Sequence, residues 1–256
     1  MFIIMSDAGL QICDSDATDI QYYHCCRENG LKTSYTTDAC IVQDAMLCVA
    51  TSSGTIWVFL SASDNLNFKT INRLYGHEDE ITILSGQNDL MVSTSRQDTY
   101  VWKIKNKDFK IYQKLWVPGL LSYATTEILL NYLLITAYES GEFCIYNLEL
   151  DDNDDKMIRV LAHKLKITAL DYSHLKNLII TASEDMYIKI WYLTKEEKVL
   201  HMQSIFNANG PLYGIGFLNL ACSEFCVITK DSNDIKIFYL QERKQLEQNL
   251  EFPICK

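Results

Sequence analysis

Basic residues are scarce in this chain. It carries 23 Lys and Arg against 33 Asp and Glu, a formal charge of -10 and a pI near 5.0. Nucleic acids and anionic membranes reward clustered cations, so the composition argues against both and favours a neutral or basic protein partner. Long apolar runs are missing too. The longest, from Ile128 to Tyr138 (ILLNYLLITAY), is broken by Asn131 and is well short of the roughly 20 residues a membrane helix needs; no membrane insertion is expected. The start, MFIIMSD, has neither a basic segment nor a cleavage-like site, which does not fit a secretory leader. There is no Asn-x-Ser/Thr sequon, and the nine cysteines are odd in number and lack framework spacing, which fits free thiols in a reducing compartment. The expected location is cytoplasmic.

Helical periodicity is absent until the polar tail. What the chain has instead is short apolar alternation from end to end, the mark of an all-β protein. Aligning the strands that end on a bulky aromatic gives GTIWVF at Phe59, TYVW at Trp102, EFCIY at Tyr146, YIKIW at Trp191 and DIKIF at Phe238, spaced 43, 44, 45 and 47 residues apart. A weaker copy, AGLQIC, ends at Cys13, 46 residues before Phe59. A period near 45 with several short strands per repeat is the signature of β-propeller blades.

Each repeat parses into strands a to d. In the fifth, ITALDYS, NLIITAS, MYIKIWYL and KVLHMQSIF follow in that order, with Glu184 and Asp185 turning b into c. The second, third and fourth parse alike. The first begins at strand b with MFIIMSD, and the sixth has a, b and c before QERKQLEQNLEFPICK, which reads as a short helix or frayed end. The domain reading is therefore an incomplete propeller over residues 1–241 and a tail over 242–256. Free strands at both ends are templates for pairing, so self-association through open edges is expected.

The fifth repeat resembles the WD40 family. Its Ala162-His163 before strand a, Ser183 late in b, Asp185 in the turn and Trp191 in c match the family pattern. The resemblance implies a buried structural tetrad of His163, Ser183, Asp185 and Trp191, in which imidazole, hydroxyl, carboxylate and indole satisfy one another. The third repeat keeps a partial set, His77 and Trp102, with Arg96 at the position of the turn aspartate. The second, fourth and sixth repeats replace the tryptophan by Phe59, Tyr146 and Phe238 and the aspartate by Ser53, Ser140 and Ser232. Over roughly residues 1–240 the order of segments is also similar to the WD repeat-containing protein 54 family, with Gly9-Leu10-Gln11, Ser53-Gly54, Gly76-His77 and Ala162-His163 as anchors. That likeness implies about five to six recognisable blades of an expected seven, incomplete at both ends and lacking the family's earliest strands. It implies no catalytic residue and no cofactor.

Sharper chemistries weigh less than structural ones. His163, Asp185 and Ser183 mimic a hydrolytic triad, but no nucleophile elbow or oxyanion donor accompanies them. His24-Cys25-Cys26 with Cys40 suggests zinc, yet adjacent strand residues point to opposite faces. Asp151-Asp152-Asn153-Asp154-Asp155 lacks the glycine and terminal glutamate of a calcium loop and reads as a solvated c–d loop. No metal and no catalysis are expected.

The function expected is that of a non-catalytic scaffold for protein partners, basic or ubiquitin-like. On a WD propeller the d–a loops and b–c turns share the top face, and the candidates there are Glu78, Asp79, Glu80, Arg96, Tyr138, Glu139, Lys164 and Asp231. A ubiquitin- or peptide-reading subunit of a larger complex is the narrower alternative. An enzyme with a site in the central channel is the alternative of another class; the a strands, mostly apolar or hydroxylic, disfavour it.

Overall fold

A computed structural model describes residues 2–240 except 8, 15, 17, 27–33, 62–67, 118, 120, 121, 150–156 and 195–197. The acidic run Asp151–Asp155 and the tail 242–256 lie outside the described residues. Every described element is a strand, and the strands form six antiparallel sheets.

The first sheet comprises β1 (Phe2–Ser6), β2 (Gly9–Cys13) and β3 (Ile20–His24); the second β4 (Thr36–Val42), β5 (Met46–Thr51), β6 (Ile56–Ser61) and β7 (Phe68–Leu74); the third β8 (Ile81–Gln87), β9 (Leu90–Ser95), β10 (Thr99–Lys105) and β11 (Asp108–Leu115). The fourth holds β12 (Ala124–Leu130), β13 (Leu133–Tyr138), β14 (Glu142–Asn147) and β15 (Met157–Leu161); the fifth β16 (Ile167–Ser173), β17 (Leu178–Ser183), β18 (Tyr187–Leu193) and β19 (Val199–Phe206); the sixth β20 (Leu212–Phe217), β21 (Glu224–Thr229) and β22 (Ile235–Tyr239). Strand order in space follows the sequence in every sheet. Each sheet is a meander built from consecutive hairpins, as the repeat period requires.

Side-chain direction alternates along a strand, so a strand buried on both faces reads as a continuous apolar run. β5 (MLCVAT) is buried at all six positions. Its Leu47 and Val49 pack with Leu10, Ile12, Trp57 and Phe59, while Cys48 and Ala50 join Val58, Ile81, Leu84, Met91 and Trp102. The fourth strands are mostly solvated, as in β19, where His201, Gln203, Ser204 and Phe206 are exposed. Four a strands begin with a β-bulge, at Thr36/Asp38, Ile81/Ile83, Ile167/Ala169 and Leu212/Gly214. Phe59, Trp102 and Trp191 also share a bulge immediately before them, so the aromatic that sets the sequence period marks one structural position.

The chain divides into two compact units, residues 1–136 with 145–157, and residues 137–144 with 158–256. Cores of the first unit lie between the first and second sheets and between the second and third. The second unit has its own core, where Ile180, Ala182, Ile188 and Ile190 pack on Leu212, Phe225 and Val227.

Candidate interaction surface and the loops that shape it

In the second unit, the loop from β15 to β16 carries His163, 3% exposed. Its Nδ1 lies 3.0 Å from Asp185 Oδ2, and its Nε2 lies 2.8 Å from Oγ1 of Thr181. The Trp191 indole N–H donates to the same Thr181 oxygen at 3.0 Å. The hydroxyl in this chain is therefore Thr181 and not Ser183. Residues two apart on a strand share a face, so both hydroxyls point the right way. Register decides between them: Trp191 pairs with Ile179, which brings Thr181 under the indole. Ser183 serves the turn instead, donating to the Leu165 carbonyl at 3.1 Å and accepting from the Asp185 amide at 3.1 Å.

Burial pushes the His163 pKa down to about 4, against the opposing pull of Asp185. The ring is neutral at pH 7, and the pair is a hydrogen bond from Nδ1–H to carboxylate, not an ion pair. That tautomer leaves Nε2 to accept from Thr181. Burial raises the Asp185 carboxyl, but amide bonds from Lys164 and Tyr187 and the imidazole outweigh it and hold its pKa below the usual value. A hydroxyl, an imidazole and a carboxylate stand in line here, yet each is consumed by a structural partner.

The third repeat, in the first unit, is one link short. His77 Nε2 lies 2.7 Å from Ser93 Oγ, and the Trp102 indole donates to that oxygen at 2.8 Å. On the other side of the ring, Nδ1 is buried without a partner. The b–c turn is also one residue shorter: Thr94 pairs with Thr99, whereas Ala182 pairs with Ile188. Counted from strand b, the residue matching Asp185 is Gln97, whose amide donates to Ser95 Oγ as that of Asp185 does to Ser183. Arg96, placed there by counting back from the tryptophan, is instead exposed, with its guanidinium 5.9 Å from the Tyr123 ring.

The second and fourth repeats close their turns with glycine. Gly54 (φ 80°) and Gly141 (φ 82°) occupy the left-handed region, where a Cβ costs energy. A Cβ on Gly141 would come 2.3 Å from the His163 carbonyl oxygen, and one on Gly54 2.5 Å from that of His77. The Gly141 carbonyl accepts from the amides of Ala162 and His163, at 3.1 and 2.8 Å. The His163 loop is thus gripped by its backbone from the preceding sheet and by its side chain from the following one, while the His77 loop passes similarly close to the turn at Gly54. Sequence reasoning missed these close approaches; the Ser-Gly pairs were the only signal.

Immediately after each anchored histidine the chain reaches solvent. Glu78 and Lys164 are exposed, as are Glu139, Arg96 and Asp231, while Asp79 and Glu80 are half-buried. Tyr35 donates its hydroxyl to Glu80 at 2.9 Å. In the second unit, Lys166 lies 3.4 Å from Glu139. Tyr138 departs from expectation. It is the last residue of β13, only 8% exposed, and turns into the interior where a surface contact was foreseen.

Among the described residues, no group of three or more His, Cys, Asp or Glu is arranged to hold a metal ion, and no helix is long and apolar enough to cross a membrane. Cys25 is exposed and Cys26 buried; both follow the end of β3 at His24 and do not lie on a strand.

Comparison with known proteins now decides the family. The WDR54 family profile matches residues 1–240. The chain belongs to the WDR54 family. Its sequence is 21% identical over 253 residues to WD repeat-containing protein 54 of Mus musculus and 22% identical to that of Homo sapiens, covering 93% of this chain and 74% of each relative. Among solved structures it is similar to the computationally designed Ika8 protein, with a TM-score of 0.72, 18% identity and coverage of 93% of this chain and 67% of that one. A chain of the Mitotic Checkpoint Complex superposes with a TM-score of 0.72 at 13% identity, covering 94% of this chain and 76% of that one. At these identities the structures attest the fold alone: an all-β WD40-type propeller architecture, with four-stranded sheets flanked by a three-stranded sheet at either end of the described residues.

Proposed function

We propose that this WDR54 family member is a non-catalytic scaffold that binds protein partners through its d–a loops and b–c turns, the top-face loops of a WD propeller. The observation that carries this reading is the abrupt step from buried to exposed at each histidine loop. His77 and His163 are 8% and 3% exposed, and the next residues, Glu78 and Lys164, are exposed charges. Loops fixed in this way lose little conformational freedom on binding, so more of the contact energy appears as affinity. Glu78, Asp79 and Glu80 beside Tyr35 give the first unit an acidic, aromatic-edged loop, a surface that suits a basic segment or a basic face of a ubiquitin-like fold. Glu139, Lys164 and Asp231 are the corresponding candidates of the second unit.

The test is affinity capture from cells with the wild-type chain and with Glu78→Lys/Asp79→Lys/Arg96→Glu/Glu139→Lys, after circular dichroism shows both folded. Loss of the specific partners supports the reading. Retention of all of them moves binding to another surface and ends it.

A second reading has its own observation. Among the described residues β22 is the last strand of its sheet, and Ile235, Ile237 and Tyr239 along one face are 66%, 54% and 72% exposed. Such an edge pairs readily with another chain. Sedimentation of the wild type against Ile237→Lys tests self-association: a monomer in both cases removes it.

A further inference from the structure

Four a strands are seven residues long, and their fourth residues are Ala39, Leu84, Glu127 and Leu170. Leu84 and Leu170 are buried core residues. In β12 the equivalent place holds a carboxyl, and Glu127 is 8% exposed. Its Oε2 lies 2.9 Å from Thr94 Oγ1 on β9, and Thr94 Oγ1 in turn lies 3.1 Å from Thr99 Oγ1. Its Oε1 is buried with no partner. Besides Thr94, the Ser85 hydroxyl on β8 bears on the carboxyl; two neutral hydroxyls, with no cation beside them, leave a buried carboxylate poorly compensated.

No base compensates it. β8 (ITILSGQ) and β9 (LMVSTS) contribute no charged residue, β12 itself has no other, and β13 offers only the phenol of Tyr138. The charged group that acts on Glu127 is another acid, Asp38 on β4, whose carboxylate accepts from the amides of Ala39 and Leu84. Two carboxylates with no cation between them do not both stay ionised at low cost. A neutral acid fits the same geometry: its O–H donates to Thr94 Oγ1, and the Thr94 hydroxyl donates in turn to Thr99 Oγ1.

We infer that Glu127 is a proton-binding site of the folded protein, a neutral carboxylic acid seating β12 against β8 and β9, and that its deprotonation loosens this joint. One neighbour of the carboxyl faces a cavity. The Ser85 hydroxyl acts on the carboxyl, and Ser85 also lines a cavity of about 590 Å³ bordered by Cys40, Leu84, Gly86 and Leu129. In support, burial is the main cause that lifts the Glu127 pKa to about 7, with Asp38 adding to it.

The sign follows from linkage. An acid that ionises near 4.5 in the unfolded chain and near 7 in the folded one binds its proton more tightly when folded. Stability is then lost as pH rises from 4.5 to 7, and stays low above that.

The test compares urea unfolding of the full chain with that of Glu127→Gln and of Glu127→Leu, the residue of the sister repeats, from pH 4.5 to 8.5. The gap between Gln variant and wild type should open from near zero at pH 4.5 to a factor of roughly 150 in the folding constant at pH 7 and level off at roughly 300 above pH 8. A gap equal at pH 5 and pH 8 overturns the inference. Should neither variant fold, infrared spectroscopy of the wild type decides. A protonated-carboxyl band that persists at pH 6 and titrates near 7 supports the inference; no such band at pH 6 overturns it.

Discussion

Thr181 Oγ1 stands 2.8 Å from the His163 imidazole and 3.0 Å from the Trp191 indole nitrogen, so a single hydroxyl closes two buried polar groups. Thr181→Ala strands both, and the expected loss is about 2–4 kcal/mol in the free energy of unfolding. Thr181→Ser keeps the oxygen and should cost under about 1 kcal/mol more than a lost methyl group. Ser183→Ala removes only turn bonds and should cost about 1 kcal/mol. Urea unfolding of the three variants checks the order; Ser183→Ala as the most damaging would refute it.

The third repeat can be completed. His77 Nδ1 is buried and unpartnered, and Gln97 occupies the place that Asp185 fills in the fifth. Gln97→Asp should restore the missing acceptor and stabilise the chain by about 1 kcal/mol. Arg96→Asp, one residue further from the matching position, should gain less. Thermal melts of both variants beside the wild type measure it, and a larger gain at Arg96 would mean that counting from the tryptophan is the better guide.

Acid should destabilise the fold through its two buried rings. Burial is the main cause holding His77 and His163 at about 4, against 6.5 in the unfolded chain. A depressed histidine pKa means that the unfolded state binds the proton first, so stability falls as pH drops from 6.5 to 4. This slope opposes that of Glu127 over nearly the same window, which is why the Gln variant rather than the wild type alone isolates the carboxyl. Titration of the His77 and His163 ring protons by nuclear magnetic resonance should find both neutral at pH 6. A charged ring at that pH contradicts the burial argument.

Glycine should matter at Gly141 and barely at Gly210. Both have positive φ, 82° and 120°, but a Cβ at Gly141 meets the His163 carbonyl at 2.3 Å, whereas one at Gly210 meets nothing within 4 Å. Gly141→Ala should cost more than about 3 kcal/mol, since backbone must move, and Gly210→Ala only the conformational penalty of about 1–2 kcal/mol. Comparing the two melting temperatures checks it; equal losses would mean that φ alone governs.

The repeat period and sheet boundaries were legible because central strands buried on both faces write continuous apolar runs, as MLCVAT and LIITAS do, and because one bulged aromatic position recurs. The tetrad was legible to within two residues. Thr181 and Ser183 share a face, and only the pairing of Trp191 with Ile179 separates them. Tyr138 was misplaced because a strand's last residue can turn inward while its neighbour Glu139 faces solvent. Gly54 and Gly141 depend on carbonyls in the next loop, more than twenty residues on, and nothing local in the sequence records that approach. Glu127 is hidden for a similar reason: an acid in the middle of ATTEILL looks like an exposed strand position until β9 is laid against it.

The grip of Gly141 and Asp185 on the same histidine loop couples neighbouring repeats in their histories. A repeat that alters its b–c turn reshapes the loop that introduces the next, so the copies are not free to drift one at a time. The loop before β16 answers to two turns at once, that of Gly141 behind it and that of Asp185 ahead of it, so a change in either is felt by both repeats.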